Sequence, residues 1–307
     1  MKILITGATG FLGKHIQKAC EPYSEHSFTF IGSSCDLTDR TDVDDLFRSI
    51  NPDIVIHMAA QCGGILANKN SPADFLANNL QMGLNIYDSA KIFNIKTIYT
   101  LGSVCAYPKF CPTPFKEDNI WNGYPEETNA PYGIAKRAIM LLGQAYREQY
   151  GIGGAHLIPV NLYGEYDHFD PVNSHVIPAL IRKFTQAVET KQPVVECWGT
   201  GEATREFLYA GDAAEAIIKA VMAGLDTNLP INLGTGKDIS IKDLAYIIGD
   251  LTGFTGEIIF NGQVSDGQPK RMLDVSRAKE LLNFEAKTQL LEGLQKTILW
   301  YEKEKYE

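Results

Sequence analysis

Five side chains in this sequence are of types that move protons near neutral pH or steady an oxygen while another group does: Ser103, Cys105, Tyr132, Lys136 and His175. Ser103 and Cys105 close the apolar run in "TLGSVCAYPK" (100–109) two positions apart. On an extended strand that spacing turns both side chains to one side. Tyr132 and Lys136 are four apart in "PYGIAKRAIMLLGQAYREQYG" (131–151), a helical pattern, so they share a face. Near the start, Gly7-Ala8-Thr9-Gly10-Phe11-Leu12-Gly13 joins an apolar run to a helical one. Glycines at that junction permit a tight turn and close approach of a pyrophosphate, and the following helix offers free N–H groups. A free phenol titrates near ~10, and an ammonium with a nicotinamide beside it favours phenolate and brings Tyr132 toward neutral pH. Tyr132 then passes a proton to or from a carbinol oxygen while hydride moves, and Ser103 hydrogen-bonds the same oxygen.

Elements that would position these groups follow in order. Short β-rich runs at 2–6, 27–32, 53–60, 96–103 and 154–164 alternate with helical patterns at 10–20, 41–50, 71–93 and 131–151, the second helix starting at Thr41. The strands are continuous apolar runs, which argues for a parallel sheet covered on both faces. After about 165 the pattern is less regular, with helices at 174–189, 211–224, 240–253 and 290–305 and strand-like runs at 205–210 and 230–236. The expectation is an α/β fold, a Rossmann-like doubly wound parallel sheet over 1–165 with a smaller mixed α/β substrate-binding cap over 166–307. Segments near 205–235 are candidates to rejoin the first unit.

The second strand runs into Gly32-Ser33-Ser34-Cys35-Asp36. A dinucleotide site for NAD usually has a carboxylate there to hold the ribose hydroxyls. Ser33 and Ser34 instead offer hydroxyls that donate to a 2′-phosphate, so the reading is NADP(H). Asp36, with Leu37 beside it, falls slightly late, where it either meets the adenine or caps a turn.

Gly7–Gly13, Ser103, Tyr132 and Lys136 resemble the extended short-chain dehydrogenase/reductases that act on nucleotide sugars. The likeness covers nearly the whole chain, through "AAQCGGILANKNSPADF" (59–75), "PVNLYGEYDHFDPVNSHVIPALIRKF" (159–184), "WGTGEATREFLY" (198–209) and "SDGQPKRMLDVSR" (265–277). Cys105 and "NSHVIPALI" resemble the branch that epimerises and then reduces 4-keto sugars. Taken alone, Cys105 reads as a small core residue and His175 as a helix cap. The resemblance implies that this pair supplies the base and acid that invert carbons next to a ketone, with Ser103, Tyr132 and Lys136 steadying the enolate oxygen. It also implies cofactor contacts at Ala59, Leu101, Gly102, Lys136, Pro159, Val160, Asn161, Leu162 and His175. Sugar-nucleotide contacts are implied at Cys105, Asn161, Lys183, Trp198, Arg205 and Asp266, with a GDP-linked 4-keto sugar as substrate. A homodimer paired through the helices near 72–93 and 131–150 is a further implication. Departures lie beside the sugar: Val104 stands where many relatives have serine, and 118–133 differs from the familiar pattern. They leave a heptose or another 4-keto sugar open.

Bulk properties set limits. The 307 residues are 45% hydrophobic and 21% charged, with a formal net charge of −9 and scattered cations, which argues against nucleic acid or an anionic membrane as partner. The chain opens "MKILITG" without a cationic-then-apolar leader, and no apolar run approaches spanning length. Cys20, Cys35, Cys62, Cys105, Cys111 and Cys197 include no C-x-x-C pair, so no metal site is read and a reducing cytoplasm is expected. Cys62 and Cys111 read as structural, His57 as a satisfied core histidine, and His168 as a pocket neighbour with no task. A dehydratase would follow Ser103 with an Asp-Glu pair, which Val104 and Cys105 do not supply. A simple 4-epimerase needs no Cys/His pair. A non-catalytic NADP sensor would typically lack part of the Ser–Tyr–Lys set, all of which is present.

Overall fold

The computed structural model describes residues 1–170, 174–262 and 267–306. Asp266 therefore lies outside the described residues. In chain order the first part comprises β1 (Lys2–Thr6), α1 (Phe11–Cys20), β2 (Ser27–Ile31), α2 (Arg40–Ile50), β3 (Ile54–His57), α3 (Ile65–Asn70), α4 (Pro72–Ile92), β4 (Thr97–Leu101), α5 (Ala130–Tyr150), β5 (Gly153–Pro159) and β6 (Asn161–Tyr163). Then come α6 (Val176–Glu189), β7 (Val194–Cys197), β8 (Thr204–Tyr209), α7 (Ala210–Met222), β9 (Ile231–Leu233), β10 (Asp238–Ser240), α8 (Ile241–Thr252), β11 (Glu257–Phe260), β12 (Lys270–Arg271), α9 (Ser276–Leu282) and α10 (Leu290–Tyr306).

Six strands form a central sheet in the order β2-β1-β3-β4-β5-β9, and each neighbouring pair is parallel. Strand β1 shows why both faces are covered. Ile3 and Ile5 pack with Ile16 of α1 and Ile217 of α7, while Leu4 packs on the other side with Phe47 of α2, Ile86 of α4 and Ile139 of α5. All three β1 side chains are fully buried, as a parallel sheet between two helical layers requires. The order reverses between β1 and β3, which opens a crevice beyond their C-terminal ends, where doubly wound sheets place ligands.

The rest is mixed α/β. β8 pairs parallel with β6 and β12 and antiparallel with β10, and β7 pairs parallel with β11. Ile181 and Phe184 of α6, Leu244 and Ile248 of α8, and Leu294 of α10 share a separate apolar cluster. β9 lies in the central sheet beside β5, and α7 packs on α1, so chain from 205–235 contributes to the large sheet's layers.

Several expectations need correction. The second helix starts at Arg40 rather than Thr41, because the Asp39 carboxylate accepts the Thr41 and Asp42 N–H groups and caps the end. The single strand expected at 154–164 is two strands in two sheets. Pro159 ends β5; the chain leaves the ladder at Val160, and Asn161–Tyr163 pairs with β8 instead. Helix α3 and the short strands β7, β10, β11 and β12 carried no sequence signal strong enough to mark them. Two to six residues show too little periodicity.

Candidate active site

Strand β4 ends at Leu101, and Gly102 passes tightly under the neighbouring strand: a Cβ there would sit 2.6 Å from His156 Nε2. Ser103 is not part of the pleat. It opens a one-turn 3-10 helix over Val104–Ala106, and its Oγ accepts the Cys105 N–H at 3.2 Å. A turn, not strand alternation, therefore brings hydroxyl and thiol together.

Helix α5 is pressed onto that turn. A Cβ on Gly133 would lie 2.3 Å from the Cys105 carbonyl oxygen, and Arg137 donates to the Ala106 and Gly123 carbonyls. This sets Tyr132 close to Ser103, whose hydroxyl partly offsets the effect of burial on the phenol. Lys136 Nζ is 5.7 Å from the Tyr132 ring centre. In the protein alone, burial, followed by the nearby Cys62 and Cys105 thiols, drives the pKa of the phenol well above the usual value. Lys136 is 3% exposed, and burial pulls its ammonium down to about 8. Beneath it, His57 and His156 hold their Nδ1 atoms 2.9 and 2.7 Å from the hydroxyls of Thr6 and Thr100. Burial and then the Lys136 charge lower both to about 3, so both imidazoles are neutral. His57 is a core residue, but its Nε2 has no hydrogen-bond partner among the described residues.

His175 sits at the N-terminus of α6, where its carbonyl accepts the Ala179 N–H and its side chain makes no cap. Burial lowers its pKa, with His168 adding to the effect. Asp167, 6% exposed, accepts the His168 N–H on Oδ1 at 2.7 Å, while Oδ2 has no partner among the described residues. Burial raises that carboxyl to about 7. Cys62 is solvent-accessible yet crowded, within electrostatic reach of Lys136, Asp167 and Cys105. Sequence reading took Cys62 as structural and gave Asp167 no role, although both lie in segments that carry the resemblance. Cys111 is half-buried against the main core, and burial pushes its thiol up to about 11.

Residues over the crevice fit a dinucleotide. Gly7 has φ +74°, and a Cβ there would meet the Ala59 backbone at 2.7 Å. A Cβ on Gly13 would strike the Ala8 carbonyl at 2.4 Å, so α1 packs directly on the turn. Gly10 leaves the α1 N-terminus with no side-chain cap and no acid in its first turn, so its N–H groups and positive dipole end are available to a diphosphate. Thr9, Ser33 and Ser34 are exposed, and Phe11 and Leu12 half-buried. Asp36 is engaged in its own turn, its Oδ1 accepting from the Thr38 N–H and hydroxyl at 2.9 and 2.6 Å. Leu37 has its side chain in the core, and its carbonyl accepts from Asn85. Leu101, Pro159 and Val160 are buried strand-end residues, Leu162 is half-buried, and Asn161 donates to the Glu206 carbonyl at 2.8 Å.

Farther out, Lys183 reaches from α6 to the Glu196 carbonyl at 2.6 Å and lies 5.7 Å from the centre of the Trp198 ring, which is 63% exposed. Arg205, on β8, donates to the Thr204 carbonyl at 2.7 Å. A concavity of about 560 Å³ is at the opposite end of the sheet, bordered by Met1, Lys96, Tyr99, Arg147 and Asp226. It has none of the chemistry-bearing residues above.

The sequence model of the NAD dependent epimerase/dehydratase family matches residues 3–234. The chain belongs to that family. It is 38% identical over 307 residues to a probable GDP-L-fucose synthase 1 of Oryza sativa subsp. japonica, covering 98% of this chain and 92% of the relative. The structure is similar to a GDP-6-OMe-4-keto-L-xylo-heptose reductase from Campylobacter jejuni, with a TM-score of 0.91 at 28% identity, covering 99% of this chain and 98% of the other. It is also similar to a GDP-L-fucose synthetase from Naegleria fowleri bound to NADP, with a TM-score of 0.89 at 27% identity, covering 99% and 95% of the two chains. No helix among the described residues is long and apolar enough to cross a membrane.

Proposed function

We propose that the protein is an NADPH-dependent 3,5-epimerase/4-reductase that converts GDP-4-keto-6-deoxy-D-mannose to GDP-L-fucose. The observation that carries this reading is the Cys105 thiol in the same turn as Ser103 and against Tyr132. Hydrogens on C3 and C5 beside a C4 ketone are acidic, because the carbanion delocalises onto the carbonyl oxygen. Cys105 and His175 are assigned the opposing base and acid, and Ser103 and Tyr132 the hydrogen bonds to the enolate oxygen. When bound, NADPH supplies the hydride that reduces C4. Tyr132 enters that step as a neutral phenol and gives its proton to the new alkoxide, which its raised pKa suits. Lys136 keeps a positive charge below the phenol up to about pH 8. Gly7, Gly10, Gly13, Thr9, Ser33 and Ser34 would hold the cofactor, and Lys183, Trp198 and Arg205 the GDP moiety.

Likeness to the Campylobacter heptose reductase supports a second reading, a GDP-4-keto-heptose as substrate. Both are tested by incubation with NADPH and a panel of GDP-4-keto sugars in deuterated water. Deuterium at C3 and C5 of the reduced product is expected. Label-free reduction would leave a plain reductase, and NADPH binding without oxidation would favour a sensor. Cys105→Ser should impair exchange more than reduction of a pre-inverted substrate.

The same reading makes residues to about 165, with α7 and β9, the dinucleotide unit and the remainder the substrate-binding cap. It also includes a homodimer through α4 and α5, which pack on each other and expose Leu84, Ile92 and Leu141. A cytoplasmic location accords with six free cysteines.

A further inference from the structure

Cys105 has a neighbour to which the sequence reading gave no role. Arg271 of β12 brings Nη1 to 3.8 Å from the Cys105 sulfur. Arg271 is 8% exposed, and its Nε donates to Gln268 Oε1 at 2.9 Å. Gln268 is itself 5% exposed and donates to the Lys109 carbonyl at 2.7 Å, on the loop that carries Cys105. The guanidinium is therefore tied to the thiol's own backbone at a fixed spacing. Among the described residues the Arg271 side chain pairs with no carboxylate, its hydrogen bonds going to Gln268 and Cys105. A guanidinium cannot shed its proton, and burying it without a counter-charge is costly. Among the described residues, the acidic group within hydrogen-bond reach of that charge is the Cys105 thiol.

We propose that Arg271 is a positioning residue for Cys105, holding the sulfur in place and favouring its thiolate. The inference rests on the reading of Cys105 as the base. As thiolate, Cys105 takes the proton from C3 or C5; the C–H electron pair moves onto the C4 carbonyl oxygen, leaving a thiol and an enolate. Other groups around the sulfur do not compete for the role. The Tyr132 phenol on α5 and the Cys62 thiol after β3 are both shifted toward their neutral forms by burial. On α5, Lys136 lies under the Tyr132 ring and Arg137 is bound to the Ala106 and Gly123 carbonyls. On the loop, Lys109 pairs with Glu127 at 2.6 Å.

The test is iodoacetamide alkylation of the full-length protein between pH 5.5 and 9.5, with the Cys105 peptide quantified by mass spectrometry. Arg271→Met should move the profile to higher pH and slow alkylation at pH 7 by about tenfold, the thiolate share carried by one pKa unit. Arg271→Lys should restore most of the rate, and Gln268→Leu should give an intermediate profile. Profiles that superimpose on that of the unsubstituted protein overturn the proposal. If Arg271→Met loses NADPH binding and is misfolded, the lysine and Gln268 variants decide: a Gln268→Leu profile identical to the unsubstituted one overturns it. Deuterium incorporation at C3 and C5 is followed separately. A shifted alkylation profile in a protein that exchanges neither hydrogen would retain the Arg271–Cys105 link and remove the epimerase reading.

Discussion

Tyr132 and Lys136 show how burial divides labour between two residues one helical turn apart. A phenol surrounded by protein and two thiols keeps its proton, and an ammonium in the same setting loses its own more readily. Tyr132→Phe should lower ketone reduction by about 10²–10⁴-fold with NADPH affinity little changed, read from stopped-flow oxidation and a fluorescence titration. Lys136 gives a pH signature. Its folded-state pKa of about 8 is below the ordinary 10.5, so the unfolded chain binds more protons between those values. Stability therefore rises as pH climbs from about 8 to 10.5, and the cost of the buried cation is fully present below about 8. Over that window the ligand-free protein should gain on the order of 3 kcal/mol relative to Lys136→Met, measured by urea denaturation at each pH. Reduction should decline above about pH 8, where the cation is lost.

At the level of elements, the active groups depend on how closely α5 approaches the turn after β4. Gly133 permits it, since any side chain would meet the Cys105 carbonyl at 2.3 Å, and backbone cannot yield as a flexible side chain can. Gly133→Ala should cost about 1–3 kcal/mol and move α5 off the turn, so that Tyr132 and Ser103 part. Thermal unfolding with an assay of NADPH oxidation checks both effects; an active variant of unchanged Tm would show the contact to be slack. Sequence reading found α5 itself, because 21 residues with helical periodicity are hard to mistake. It did not mark Gly133, whose need comes from a loop 28 residues earlier.

For the whole molecule, buried polar groups join the sheet edge to the segments around it. Asn232 of β9 takes the Tyr107 hydroxyl at 2.7 Å and donates to the Phe115 and Asp274 carbonyls at 2.9 and 3.0 Å, while its own N–H goes to Glu117 Oε1 at 2.9 Å. Glu206 of β8 does the same for the neighbouring loop, accepting the Gly236 and Leu273 N–H groups at 2.7 and 2.6 Å. Asn232→Leu strands a hydroxyl and two carbonyls. It should cost about 3 kcal/mol or more, each buried unpaired group adding about 1–3. Chemical denaturation measures it, and a loss below 1 kcal/mol would mean that the network relaxes or admits water.

By itself the sequence determined the alternation of elements, the parallel sheet, the glycine turn and the Ser–Tyr–Lys set, because each is written in local spacing: period, glycine position, and four residues along a helix. Tertiary structure alone decided which groups stand around Cys105, since Cys62 and Arg271 come from segments far apart in the sequence. It likewise decided the protonation of Tyr132 and Lys136. Desolvation depends on every atom packed around a group, and the chain brings those atoms together only when it folds.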